Sequence, residues 1–201
     1  MEKIRHALSN YQPQQLAQQE DKQASVALLL RPGEQGVEML FMQRARHPRD
    51  PWSGNLSFPG GGIEPSDAGP LAAAIRETEE EVGLYLSEEQ LIGQLDDRHG
   101  SRVPIQVSCY VFIVDTSQKI CSNEEVARSF WFPITELQQR QRHGMHQVDW
   151  HGKILEVPAI SISTDLPILW GLTYRFVRQF LHLIGTPLDI SQVEQISQPP
   201  T

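Results

Sequence analysis

Between Gly62 and Leu84 the chain carries Glu77, Glu79, Glu80 and Glu81 in one amphipathic segment that stops at Val82-Gly83. Four carboxylates so close together repel unless something cationic offsets them. In a helix each residue turns about 100°, so Glu77 shares a face with Glu80 and Glu81 at i+3 and i+4 while Glu79 points elsewhere. Leu71, Ala74, Ile75 and Thr78 supply an apolar stripe on which such a helix can dock, and Arg76 stands four residues before Glu80, where it can pair with and orient a carboxylate. A helix presenting three carboxylates offers the oxygen ligands that Mg²⁺ and Mn²⁺ take beside phosphates. An acidic run taken alone is commonly a solvated face. What argues for a site is the preceding Phe58-Pro59-Gly60-Gly61-Gly62, whose glycines permit positive φ and close approach of backbone to a ligand.

The spacing of this stretch resembles the signature of the Nudix hydrolase superfamily, G-x5-E-x7-R-E-U-x-E-E-x-G-U, where U is aliphatic. Gly62, Arg76, Glu77, Glu80, Glu81, Gly83 and Leu84 fall in register, whereas Ala68 stands at the first Glu and Thr78 at the first U. The methyl of Thr78 can still pack. Ala68 removes a carboxylate from the start of the helix, where the dipole favours one, and Asp67 is expected to cap the helix in its place. The resemblance implies that Glu77, Glu80 and Glu81 bind Mg²⁺ or Mn²⁺, that Arg76 orients them, and that the motif forms a loop, helix, loop unit.

Composition agrees with a single folded domain. Of 201 residues, 39% are hydrophobic and 21% charged, neither a disordered nor a membrane composition. The formal net charge of −8 argues against general binding to nucleic-acid backbones, so an anionic substrate needs a local basic cluster and a metal. Cys109 and Cys121 are too few for a disulfide framework. Reduced thiols, the lack of a signal-peptide stretch near the start and the lack of a run of about 20 apolar residues give the expectation of a cytoplasmic protein with no membrane partner. Oligomeric state is not legible, and a homodimer stays open.

Along the chain, a short helix is expected at 2–9, followed by a Gln-rich connector at 11–23 that reads as an arm. Strands are expected at 25–30 and 37–43 with a turn over 31–36, then at 91–95, 105–114 and 127–132. Ser163-Thr164-Asp165 with Pro167 reads as the start of a final helix over 169–184, stopping at Gly185. The expected divisions are 1–23 for the arm, 24–185 for the hydrolase domain and 186–201 for a tail. This order of elements predicts an α/β architecture with a mixed sheet, which the Nudix resemblance sharpens to an α/β/α sandwich.

Residues 40–61 are similar to the element ahead of the Nudix motif in coenzyme A pyrophosphatases, L-L-T-x-R-[S/A]-x3-R-x3-G-x3-F-P-G-G. Leu40, Arg44, Ala45, Arg49, Gly54 and Phe58 to Gly61 match in order, but Phe41 and Met42 replace Leu and Thr, and four residues separate Arg49 from Gly54. Arg44, Arg46 and Arg49 form a cationic cluster suited to phosphates, which guanidinium forks bind bidentately; a surface patch paired with Asp50 is its plainer reading. Asn123-Glu124-Glu125-Val126 resembles the family's later acidic segment, with Glu125 matching the Glu that joins the metal cluster and Glu124 its rival, and Leu169-Trp170-Gly171-Leu172-Thr173 resembles the last helix of coenzyme A pyrophosphatases. The implied activity is metal-dependent hydrolysis of the pyrophosphate bond of a small nucleoside diphosphate derivative, coenzyme A first, with Arg44, Arg49 and Gly60 to Gly62 contacting substrate. Hydrolysis of ADP-ribose, a dinucleotide or a nucleotide sugar is the alternative, and a non-catalytic nucleotide sensor a more distant one.

Overall fold

The computed structural model describes residues 1–17, 22–48 and 50–185. Helix α1 (Glu2–Ser9) precedes strands β1 (Lys22–Gly33) and β2 (Gly36–Arg44). These form the expected hairpin, but the turn is tighter than the 31–36 segment suggests. Gly33 pairs with Gly36, which leaves Glu34 and Gln35 as the loop and draws Pro32 into the ladder opposite Val37. Then come β3 (Leu56–Ser57), β4 (Gly60–Gly62), helix α2 (Pro70–Val82), β5 (Leu91–Gln94), β6 (Arg98–His99), β7 (Ile105–Ile113) and β8 (Val126–Pro133). The chain continues with α3 (Ile134–Leu137), β9 (His143–Trp150), β10 (Lys153–Ile160), β11 (Leu169–Trp170) and α4 (Gly171–Leu183).

β1 is the axis of the main sheet. It runs parallel to β7 and antiparallel to β2 and β4, while β2 also carries β3 and β8, and β7 carries β5 and β6. Successive side chains on a strand point to opposite faces, and here both faces are covered. Ala27 and Leu29 join Leu40 and Met42 under Ala74 and Val82 of α2, whereas Leu28 and Leu30 join Met39 and Phe41 against Phe176 and Phe180 of α4. Double burial explains why 27–30 reads as an unbroken apolar run rather than an alternation. Leu28, Leu29 and Leu30 are each fully buried, worth about 1.5–3 kcal/mol apiece relative to exposure. The expected α/β/α sandwich with a mixed sheet is what the chain forms.

Three local expectations are corrected. The N-cap of α2 is Gly69, with no side-chain cap, because Pro70 opens the helix and has no N–H to satisfy; Asp67 lies too far upstream to cap it and binds Arg76 instead. The last helix starts at Gly171, since Leu169 and Trp170 are extended and pair with Ile160 and Ala159. Ser163-Thr164-Asp165 therefore caps nothing, and the Asp165 carboxylate accepts from Ser163 and Arg128. Finally, Gly60–Gly62 is a strand against Ala24–Val26 rather than a free loop.

A second sheet, β9-β10-β11, has no counterpart among the strands expected from the sequence. Its hairpin turns at His151 and Gly152, with φ of 52° and 79°, the two-residue geometry that fits the twist of paired strands. Part of the Gln-rich connector is pinned: Tyr11 Oη donates to Asp96 at 2.5 Å, and the Gln14 and Leu16 N–H groups donate to Asp96 and Asp97 at 2.8 and 3.1 Å. Residues 18–21 and the tail 186–201 lie outside the described residues. Cys109 and Cys121 are free, and no described helix is long and apolar enough to cross a membrane.

Candidate active site

The carboxyl end of α2 packs against β4, and the absence of side chains on β4 allows carboxylates to reach its backbone. Glu81 is only 2% exposed. Its Oε2 accepts the Gly60 N–H at 2.8 Å, and its Oε1 lies 3.7 Å from Nη1 of Arg44. Gly60 has φ +147°, and a Cβ there would stand 2.3 Å from the Ser25 carbonyl oxygen. A Cβ on Gly61 would meet the Glu77 carboxyl at 2.5 Å. Helix and glycine strand are thus fitted to each other at van der Waals distance.

Arg76 ties the acids together. Its Nε and Nη2 donate to the two oxygens of Asp67 at 3.0 Å each, its Nη1 donates to Glu77 at 2.9 Å and to Glu80 at 3.1 Å, and Nη2 also reaches the Gly62 carbonyl at 3.1 Å. Where the signature has its first Glu this chain has Ala68, and the neighbouring Asp67 supplies the carboxylate that grips Arg76 from the far side. The Arg76 fork holds Asp67 well below the usual carboxylate range. Burial has the opposite effect on the helix acids. It raises Glu77, with Arg76 opposing and Glu80 and Glu125 adding to the rise. It pushes Glu81 up to about 8, against the Gly60 N–H and Arg44, with Glu77 and Glu125 again adding. Glu77 and Glu125 therefore lie close enough to Glu81, and Glu125 close enough to Glu77, to oppose ionisation there.

All three line a cavity of about 660 Å³ together with Arg44 and Gly60, Gly61 and Gly62. Glu80 does not. Glu80 and Glu81 straddle Glu77 about 100° apart on the helix, and only the Glu77 and Glu81 side faces the cavity, leaving the Glu80 side chain 54% exposed beside Arg76. Glu124 is likewise absent from the lining, whereas Glu125 is part of it. Arg44 is engaged by Asp50 at 2.6 Å as well as by Glu81, so it faces the cavity as a member of a charge network. Arg46 is exposed and outside the lining, and Arg49 lies outside the described residues.

Among the described residues no three His, Cys, Asp or Glu side chains are gathered in a metal-holding arrangement; Glu77, Glu80 and Glu81 each take a protein donor instead. The donor chemistry still fits a hard divalent cation: an all-oxygen set of mutually repelling carboxylates beside a glycine strand. Sequence reasoning missed Asp67 as the partner of Arg76, and Trp52, Asn55 and Trp150 in the cavity wall. A carboxylate one position from the expected signature Glu was the available signal for Asp67. Trp170 lies in a segment already singled out, but nothing in the spacing brings Trp52 and Trp150 to it.

A family model for the NUDIX domain matches residues 21–151. A probable nudix hydrolase from Schizosaccharomyces pombe is 29% identical over 169 residues, which is 80% of this chain; the chain spans 55% of that relative's length. An uncharacterized Nudix hydrolase, NudL, from Yersinia pestis is 30% identical over 148 residues, covering 73% of this chain and 72% of the relative. Among solved structures, a MutT/nudix family protein from Enterococcus faecalis shares the fold with a TM-score of 0.57 at 16% identity, over 94% of this chain and 75% of its own.

Proposed function

Since the chain belongs to the NUDIX domain family, we propose that it hydrolyses the P–O–P bond of a nucleoside diphosphate derivative, with coenzyme A or a derivative of it as substrate and Mg²⁺ or Mn²⁺ as cofactor. The observation that carries this reading is Glu81: a carboxyl almost wholly buried, hydrogen-bonded to the Gly60 N–H, and sharing one cavity wall with Glu77 and Glu125. Acids held against their own repulsion at a cavity mark a functional site more often than a structural one. Glu77, Glu81 and Glu125 would hold the cation, while Glu80 stands outside the cavity lining. When bound, such an ion neutralises phosphate oxygens and lowers the pKa of water. Arg76, fixed by Asp67, sets the position of Glu77 and Glu80, and Arg44 offers positive charge to the phosphates from between Asp50 and Glu81. Water oxygen ends on one phosphorus and the bridging oxygen leaves with the other, giving from coenzyme A a phosphopantetheine and adenosine 3′,5′-bisphosphate.

Two resemblances support coenzyme A over other diphosphates: the 40–61 element, and the 169–173 segment, whose Trp170, Gly171, Leu172 and Thr173 line the cavity with Glu81. Arg49 enters on the resemblance alone. A panel of coenzyme A, ADP-ribose, a dinucleotide and a nucleotide sugar, each with Mg²⁺ and with Mn²⁺ and with products identified by mass, tests the assignment. Coenzyme A is expected to give the highest kcat/KM, and excess chelator to abolish turnover. A preference for ADP-ribose would transfer the substrate assignment to it. Full turnover in chelator would remove the metal from the reading, and binding without hydrolysis would make the chain a sensor.

A further inference from the structure

Three of the chain's four tryptophans, Trp52, Trp150 and Trp170, line the cavity that holds Glu77, Glu81 and Glu125, and each is half-buried. They come from a loop, from the end of β9 and from β11, so their meeting is a product of the fold. A continuous set of contacts links them to the acids. Glu81 faces Arg44; the Arg44 N–H donates to the Asn55 carbonyl at 3.0 Å; the Asn55 side-chain oxygen accepts the Trp170 indole N–H at 3.2 Å. The Trp52 backbone N–H donates to Asp50, the same carboxylate that grips Arg44. Trp150 and Trp170 pack edge to face, ring centroids 5.6 Å apart and planes at 83°.

In edge-to-face packing the rim of one ring meets the face of the other, and Trp150 also meets His151 edge to face at 4.8 Å; both indoles, half-buried and lining the cavity, still present aromatic surface to it. The one polar atom of the Trp170 ring is already taken by Asn55, which leaves shape and π-stacking as the means of recognition there. A site with charge at Arg44 and Glu81 and flat aromatic surface one residue away suits a molecule that joins a diphosphate to a planar ring. We infer that Trp150 and Trp170, in a cavity wall that Trp52 also lines, form the subsite for the nucleobase of the substrate, an inference that rests on the hydrolase reading above. The aliphatic part of the substrate then extends along the rest of the cavity, over Val26 and Phe176.

The test compares α,β-methylene-ADP with methylenediphosphonate, which has the same phosphonate-bridged core and no ring, by calorimetry and tryptophan fluorescence with Mg²⁺ and the full chain. The ring-bearing compound is expected to quench fluorescence and to bind at least about tenfold tighter, the scale of one stacked base. Trp150→Leu should remove most of that advantage while leaving methylenediphosphonate affinity unchanged, and Trp150→Phe, which restores a π face, should recover most of it. If Trp170→Leu lowers Tm through its lost bond to Asn55, the two Trp150 variants decide. The subsite is overturned if Trp150→Leu keeps the ring advantage, or if the variant instead loses affinity for 4′-phosphopantetheine, which would place the aliphatic arm there. Ring-dependent binding without hydrolysis of any diphosphate would sink the hydrolase reading and leave the base subsite standing; hydrolysis with no ring advantage would do the reverse.

Discussion

Glu81 and Asp67 carry the same functional group and are driven in opposite directions by their surroundings. Glu81 is buried beside other acids, so its proton affinity rises; Asp67 lies in the fork of Arg76, so its proton affinity falls. Glu81→Gln keeps the shape and an acceptor for Gly60 but cannot ionise. It should lower kcat by at least ~10²-fold with a Tm at or above that of the wild type, because a buried carboxyl among like charges is replaced by a neutral group. Unchanged turnover would return the acidic run to a purely structural role. Asp67→Asn leaves the cavity acids in place and loosens Arg76. A loss of about 10- to 100-fold in activity or metal affinity is expected, as for other partners of metal-site residues, and a metal-activation curve identical to the wild type would refute this. The register of Glu77, Glu80 and Glu81 was readable from helix geometry alone. Their division, with Glu80 outside the cavity, was not, because it depends on which side of Glu77 meets β4.

At the scale of elements, glycine has two distinct uses, and substitution separates them. Gly152 closes the β9-β10 hairpin at φ +79°, and a Cβ added there would have no atom within 4 Å, so Gly152→Ala should cost only backbone strain, about 1–2 kcal/mol. Gly60 combines φ +147° with a Cβ position 2.3 Å from the Ser25 oxygen, so Gly60→Ala must also push β1 and β4 apart. It should cost more than about 3 kcal/mol, and urea unfolding of both variants at one pH gives the comparison. Equal costs would mean that β4 yields easily and does not hold the carboxylates in place. Helix α2 could be read from its spacing and its Gly83 stop, and β1 and β2 from their apolar runs. The β9-β10 hairpin is hard to read although His151-Gly152 is a two-residue turn signal, since β9 mixes His, Gln and Asp with one β-branched residue, Val148, and Pro158 interrupts β10. The start of α4 is misplaced by sequence because Ser163-Thr164-Asp165 has capping chemistry, and only pairing with β10 reveals Leu169 and Trp170 as a strand.

The whole molecule is a main sheet with a core on each face and a smaller second sheet, and one half-buried histidine links its stability to pH. His143 donates from Nε2 to the Leu137 carbonyl at 2.7 Å, while its Nδ1 is buried with no hydrogen-bond partner among the described residues. Burial, with Arg178 adding, holds its pKa below the ordinary value. The unfolded chain takes up this proton near pH 6.5 and the folded chain only at lower pH. The contribution of His143 is therefore complete above about 6.5 and is lost as pH falls from there toward the lowered folded value. His143→Gln, which can still donate to Leu137, should reduce the fall in urea midpoint between pH 7.5 and 5.5; an unchanged fall would assign the acid sensitivity to other groups. What the sequence alone determined were properties of short range: an acidic helix with its stop, a glycine segment ahead of it, an apolar run long enough for a doubly covered strand, and a charge density that asks for a cation. These follow from spacing along one element, where geometry is set by 3.6- and 2-residue periods. Tertiary structure alone decided which acids enter the cavity, that Asp67 grips Arg76, and that Trp170 meets Asn55 from 115 positions away. Those outcomes depend on surfaces brought together by burial of the two cores, and no local period encodes them.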